Sequence, residues 1–146
     1  MGDVQDTLND LISICRNSEQ GFGKAAKGVQ SENLRRRFSA IARQRADFAE
    51  ELSAYVRKIG GEPAGAANRG GKQKGRRETE AGIGDRDDAS FLAECETFEE
   101  DALRHYERAL SKDLPVPVRP IVDRHRLAVQ ETLLDLRGFE QVRRAG

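Results

Sequence analysis

The chain has 146 residues, of which 37% are hydrophobic and 34% charged, so it is long enough for one domain with its own core. Its 25 basic residues balance 25 acidic ones, which leaves no net charge to attract nucleic acid or an anionic membrane. Since the sequence contains no apolar run of about 18 residues and no secretory profile at its start, we expect no membrane span and a cytoplasmic protein.

In four segments, apolar residues recur at three- and four-residue steps, the pattern of amphipathic helices. Ser31 is the expected N-cap of the second helix and Asp3 that of the first. We predict a single domain, 1–146, with helices at roughly 3–28, 32–59, 88–111 and 117–143.

Three glycines interrupt the second half of the first helix, at Gly21, Gly23 and Gly28. Each costs about 1 kcal/mol relative to Ala in a helix interior. They therefore predict a close helix crossing or a local kink, although Gly28 can also end the helix.

Residues 60–87 are rich in glycine and contain almost no large apolar side chain, which predicts a flexible linker. The second helix would be on the order of 40 Å long at ~1.5 Å per residue, so a long linker can return along it as a crossover. The linker also contains the main basic cluster of the chain, Arg69, Lys72, Lys74, Arg76 and Arg77. Because no aromatic residues interleave with this cluster, we prefer a solvated loop to a nucleic-acid site.

Each predicted helix has a charged or titratable side chain on its apolar face: Glu19, Arg45, Glu99 and His125. A carboxylate on a buried face is expected to be paired or functional. Our preferred interpretation is a buried ion-pair layer in which Arg45 pairs with Glu19 or Glu99. The alternative is an iron or manganese site formed by Glu19, Glu99 and His125, with Gln44 or Glu51 as further ligands.

The remaining polar residues suggest simpler roles. Cys15 and Cys95 lack any metal-binding spacing and are expected to be buried free thiols. His105 follows Asp101 by four residues, which predicts an ion pair at the edge of the core. The chain has no phosphate-binding glycine loop and no nucleophile elbow, so hydrolases and nucleotide-binding enzymes of the common types are not expected.

A short first turn, a long second connection and a short Pro-rich third turn are together typical of a ferritin-like bundle. An up-down-up-down bundle is the second possibility. We therefore predict an all-α fold, a ferritin-like four-helix bundle with a long crossover between helices 2 and 3.

Several motifs are not dictated by helix periodicity: Leu8-Asn9-Asp10-Leu11-Ile12, Gly21-Phe22-x-x-Ala25-Ala26, Gln44-Arg45-x-x-Phe48-Ala49-x-Glu51-Leu52, Gly60-Gly61-Glu62-Pro63, Leu92-Ala93-Glu94-Cys95-Glu96 and Tyr106-x-x-Ala109-Leu110. In these motifs the chain resembles a bacterial family of ferritin-like four-helix-bundle proteins of uncharacterised function. The resemblance covers most of the chain outside the linker and the last helix.

The chain departs from that family at two places. The family usually has Arg-Gly-Trp in the linker, where this chain has Arg69-Gly70-Gly71, so an aromatic anchor of the crossover is missing. After Glu96 the family tends to continue Arg-Gly-Glu-Asp, where this chain has Thr97-Phe98-Glu99-Glu100, which keeps the Glu at position 99.

The resemblance raises the question of a di-iron site, which in ferritin-like proteins uses two Glu-x-x-His motifs. Neither histidine completes one, because Ala102 precedes His105 by three residues and Val122 precedes His125 by three. We therefore expect no cofactor and a non-enzymatic structural or interaction protein, with a bacterial, cytosolic and stress-related setting as the one the resemblance suggests. The expected partner is another protein or a second copy of the chain.

Overall fold

The computed structural model describes the backbone of residues 2–64 and 87–145 and the side chains of residues 3–64 and 87–139. Over these ranges it contains four α-helices and no strand, which confirms the all-α prediction. The helices are α1 (Gly2–Gly28), α2 (Glu32–Lys58), α3 (Asp88–Leu110) and α4 (Arg119–Ala145). The basic cluster of the linker, Arg69, Lys72, Lys74, Arg76 and Arg77, lies outside the described residues.

The helix ends follow the capping chemistry of the sequence, with one exception. The Ser31 hydroxyl accepts a hydrogen bond from the Leu34 amide, as predicted, and the Asp87 carboxylate caps α3 in the same way. Gly60, with φ of 86°, follows the end of α2. The prediction for Asp3 was wrong: α1 already includes Gly2, so Asp3 lies in its first turn, where an acidic side chain favours the helix dipole.

Side-chain pairs define the directions of the helices. Later residues of α1 meet earlier residues of α3, since Asp10 contacts His105 whereas Gly28 faces Phe91. The same reversed order relates α2 to α4, and short turns join α1 to α2 and α3 to α4. Therefore α1 and α4 run in one direction and α2 and α3 in the other. Of the predicted crossover linker, 60–87, residues 65–86 lie outside the described part of the chain.

The core consists of two apolar clusters, one toward each end of the four helices. The first surrounds the start of α1 and the end of α3, and its largest members include Leu8, Leu11, Ile12, Phe48, Leu52 and Tyr106. The second surrounds the end of α1 and the start of α3, and includes Phe22, Leu34, Phe38, Phe91, Leu92 and Leu136. Along α2 and α3, Arg45 and Glu99 lie between the residues of one cluster and those of the other.

α1 and α3 approach each other closely. A β-carbon at Gly21 would collide with the Phe98 ring, and one at Gly28 would collide with the Phe91 ring, whereas Gly23 faces open space. The close crossing predicted from the glycines is therefore confirmed at Gly21. Gly28, for which the simpler prediction is the end of the helix, is the last residue of α1 and a second point of close approach.

Asp88 holds the start of α3 against the turn between α1 and α2. Its buried carboxylate accepts hydrogen bonds from the backbone amides of Gln30, at 2.7 Å, and Ser31, at 3.0 Å. These bonds satisfy two amides that the turn would otherwise leave without partners. Within the described ranges, none of the helices combines the length and apolarity needed to cross a membrane.

Candidate functional site

The side chains of Arg45 and Glu99 form a buried ion pair between the two apolar clusters. They are 1% and 0% exposed, and both terminal nitrogens of the guanidinium donate to the carboxylate: Nη1 to Oε1, and Nη2 to Oε2 at 2.7 Å. The pair confirms the prediction that Arg45 contacts Glu19 or Glu99. Such a two-point contact is the strongest geometry for this kind of pair.

Neighbouring side chains complete the surroundings of the guanidinium. Nη2 also lies 3.3 Å from the Thr132 hydroxyl of α4, and Nε donates to the amide oxygen of Gln44 at 3.2 Å. The rings of Phe22 and Phe48 lie with their centroids 5.9 Å from the central carbon of Arg45. The charge is thus held in an apolar layer with every nitrogen hydrogen-bonded.

Burial and pairing act in opposite directions on the two charges. Burial raises the pKa of Glu99, and the facing guanidinium counteracts this shift. Burial alone would lower the pKa of Arg45, but the charge and hydrogen bonds of Glu99 raise it above its ordinary value. Since Arg45 stays protonated, Glu99 is best described as its ionised partner.

Glu19 does not belong to this layer, contrary to the preferred interpretation of the sequence. Its side chain is 34% exposed and accepts a hydrogen bond from Arg16 at 3.0 Å, while Arg16 also donates to Glu50 at 2.6 Å. Ser18, one residue earlier, is buried instead. The helix rotates by about 100° per residue, so a small error in phase moves a side chain from the core to its edge.

His125 is fully buried but belongs to a second network. Its Nε2 lies 2.8 Å from Oε1 of Glu51, and its Nδ1 lies 3.1 Å from the Tyr106 hydroxyl. The imidazole stacks on Phe48, with ring centroids 3.7 Å apart and planes 8° apart. Burial lowers the pKa of His125 to about 4, although Glu51 counteracts the shift, so the ring is neutral at pH 7.

The second network continues to Cys15, whose Sγ lies 3.0 Å from the Tyr106 hydroxyl. Burial raises the pKa of this thiol to about 11, and burial also raises the pKa of Tyr106 well above its ordinary value. From the sequence, Cys15 is expected only to be a buried thiol, and no polar role is predicted for Tyr106. The signal for a polar role was Tyr106 itself, because a tyrosine on a buried stripe needs a partner for its hydroxyl.

The residues predicted for a metal site are not brought together. Glu19 pairs with Arg16, Glu99 with Arg45, and His125 with Glu51 and Tyr106. Among the side chains described, those of residues 3–64 and 87–139, no group of three or more His, Cys, Asp or Glu is arranged to hold a metal ion. Moreover, a guanidinium directly on Glu99 repels a cation, so this donor set does not fit a di-iron group.

The simpler assignments agree with the structure. Cys15 and Cys95 are both buried, and neither forms a disulfide bond within the described part of the chain. The imidazole of His105 lies at the edge of the core, with Nδ1 2.7 Å from Asp10 and Nε2 3.7 Å from Asp101. Asp10 was not anticipated, since it comes from another helix.

Comparison with known proteins adds a family. A search of curated proteins finds no match to the chain. A family described as a domain of unknown function (DUF2383) matches residues 3–112, which contain α1 except for Gly2, all of α2 and α3, and both members of the buried ion pair. Since this match covers more than half of the 146 residues, the chain belongs to the DUF2383 family.

Proposed function

We propose that this protein is a ferritin-like four-helix bundle that acts as a structural or interaction protein, in which a buried ion pair takes the place of a di-iron centre. Its setting in this proposal is the bacterial cytoplasm, in a stress-related role. The Arg45–Glu99 pair is the observation that carries the proposal.

The directions of the helices support the ferritin-like part. α1 and α4 run in one direction, and α2 and α3 run in the other. Because α2 and α3 are consecutive and parallel, the connection between them has to return along the length of the domain. A four-helix bundle with one such long connection has the ferritin-like arrangement. The alternative up-down-up-down bundle would place α2 and α3 antiparallel.

The chemistry around Arg45 and Glu99 supports the proposal that an ion pair takes the place of a metal centre. A ferritin-like metal centre requires several carboxylates and histidines aimed at one point. Here the carboxylate of Glu99 is used by Arg45 in a two-point contact. Buried ion pairs of this kind are best known for fixing the register of packed helices, because a shifted register leaves both charges unpaired.

Elemental analysis of the full chain, purified from cells grown with added iron and manganese, tests the proposal. We expect neither metal in stoichiometric amount. Stoichiometric iron or manganese that is lost in Glu99→Ala but retained in Glu50→Ala would overturn it, because Glu50 is an exposed carboxylate outside the layer. That outcome would favour the alternative, a metal-binding or redox protein using Glu19, Glu99 and His125.

A further inference from the structure

Four side chains, one from each helix, form a continuous chain of hydrogen bonds from the core toward the surface. Sγ of Cys15 lies 3.0 Å from the Tyr106 hydroxyl, which lies 3.1 Å from Nδ1 of His125. Nε2 of His125 lies 2.8 Å from Glu51, whose side chain is 35% exposed. The first three residues are fully buried, and the proposed function uses none of the four.

The donors and acceptors of this chain follow from its outer end. The Glu51 carboxylate can only accept, so a neutral His125 carries its hydrogen on Nε2 and leaves Nδ1 as an acceptor. Tyr106 must then donate its hydroxyl hydrogen to Nδ1. The phenol oxygen in turn accepts from the thiol of Cys15, which burial keeps protonated.

We propose that Tyr106 is a redox-active residue whose oxidation by a one-electron oxidant is coupled to proton transfer onto Nδ1 of His125. The oxidant removes one electron from the phenol, the O–H bond of Tyr106 breaks, and an N–H bond forms on His125. The products are a neutral tyrosyl radical, an imidazolium and the reduced oxidant, so charge and atoms balance.

Tyr106 is suited to this oxidation because a base, His125, lies within hydrogen-bonding distance of its hydroxyl group. An electron can leave a buried residue without the oxidant touching it, but a proton moves only over a hydrogen-bond distance. Without an acceptor, oxidation would leave a cationic radical in the apolar core, which is unfavourable. His125 removes that charge from the ring, and the carboxylate of Glu51 faces the imidazolium that forms.

Cys15 can reduce the tyrosyl radical back to tyrosine. Its S–H points at the phenol oxygen, so transfer of a hydrogen atom breaks the S–H bond, restores the Tyr106 hydroxyl and leaves a thiyl radical on Cys15. The site would thus accept oxidising equivalents and pass them to a thiol.

The composition of the chain allows a clean experiment. It has two tyrosines, Tyr55 and Tyr106, and no tryptophan, so Tyr55→Phe leaves Tyr106 as the one oxidisable aromatic hydroxyl. In this background, flash-generated ruthenium(III) tris-bipyridine is the oxidant, and transient absorption and electron paramagnetic resonance report the radical. We expect a neutral tyrosyl radical that is absent after a further Tyr106→Phe change and that forms more slowly in D₂O.

Two variants test the role of the base, with folding checked by circular dichroism. His125→Leu should slow radical formation about a hundredfold, within the range that a positioned base contributes. Glu51→Gln keeps an acceptor for Nε2 but removes the charge, and should slow radical formation less than His125→Leu does. It also serves if His125→Leu does not fold. Rates unchanged by the folded variants, or equal in H₂O and D₂O, would overturn the proposal.

The two buried thiols provide a matched pair for the second step. Cys15→Ala should lengthen the lifetime of the tyrosyl radical, whereas Cys95→Ala, which removes a thiol from the other apolar cluster, should not. Equal lifetimes in the two variants would refute hydrogen-atom transfer from Cys15.

Discussion

Among single residues, Arg45 and Glu99 illustrate how a buried charge is tolerated without being a source of stability. Removing two charges from water is costly, and their attraction offsets that cost only when geometry and hydrogen bonding are good. Here the two-point contact, Gln44 and Thr132 satisfy the guanidinium. The pair therefore favours one arrangement of α2, α3 and α4 over others.

A double-mutant cycle tests this account. Glu99→Leu should lower the free energy of unfolding by about 3 to 5 kcal/mol, because it leaves Arg45 buried without a partner. Arg45→Leu combined with Glu99→Leu should recover most of that loss. Denaturant unfolding measures both, and Arg37→Ala, which breaks an exposed pair with Asp135, should cost less than about 1 kcal/mol. A double variant as unstable as Glu99→Leu would contradict the view that the ion pair selects one helix arrangement without adding stability.

His125 should make stability depend on pH. Its folded-state pKa of about 4 lies below the ordinary 6.5, so protonation favours the unfolded chain. Its contribution is complete above pH 6.5 and is lost as pH falls toward 4, by up to roughly 3 kcal/mol at about 1.4 kcal/mol per pKa unit. The charged and titratable groups facing it are Arg45, Glu51, Tyr106 and Arg124.

The measurement for this prediction is the free energy of unfolding between pH 7 and 4.5 in the natural chain and in His125→Gln. The variant should lose most of the slope between these limits. Below that range the carboxyl group of Glu51 adds a loss of stability in the same direction. Burial alone would raise the pKa of Glu51, but the hydrogen bonds from Arg124 and His125 lower it below its ordinary value. Parallel curves for the two proteins would show that His125 is not responsible.

At the scale of helices, the contact between α1 and α3 depends on residues without side chains. Gly28 faces the ring of Phe91, which is 1% exposed and enclosed by the second apolar cluster. The ring therefore has little room to move away from an added methyl group. This contact places α3 close to α1 at the end where Asp88 also bonds to the turn.

Matched glycine substitutions test how closely α1 and α3 pack at Gly28. Gly28→Ala should lower the free energy of unfolding by about 1 to 3 kcal/mol through overpacking. Gly23→Ala, in the same helix but facing open space, should raise it by about 0.5 to 1 kcal/mol, since alanine restricts the unfolded chain. Thermal or denaturant unfolding distinguishes them. A stabilising Gly28→Ala would mean that α3 does not pack this closely.

For the whole molecule, the family match and the folded unit differ in extent. The DUF2383 match ends at residue 112, before α4 begins at Arg119. Yet α4 contributes Val122, Val129 and Leu136 to the two apolar clusters, as well as the His125 ring. The core is therefore shared by the matched region and the last helix.

Truncation after residue 112 tests that dependence. Without α4 the chain would expose the apolar faces of the other helices, so we expect loss of cooperative unfolding and increased aggregation. Calorimetry and size-exclusion chromatography of the truncated and full chains provide the comparison. A truncated monomer with a sharp unfolding transition would show that α4 is dispensable.

The sequence by itself determined the helices, the N-cap at Ser31, and the buried position of Arg45 and Glu99, because these depend on local periodicity and chain geometry. The tertiary structure decided which inward groups meet. Periodicity gives the phase of each helix only approximately, so the sequence predicts Glu19 in the ion-pair layer, whereas its side chain lies at the edge of the core and pairs with Arg16. Likewise, the Cys15, Tyr106, His125 and Glu51 network could not be predicted, since it joins four helices whose relative rotation and depth are set by packing.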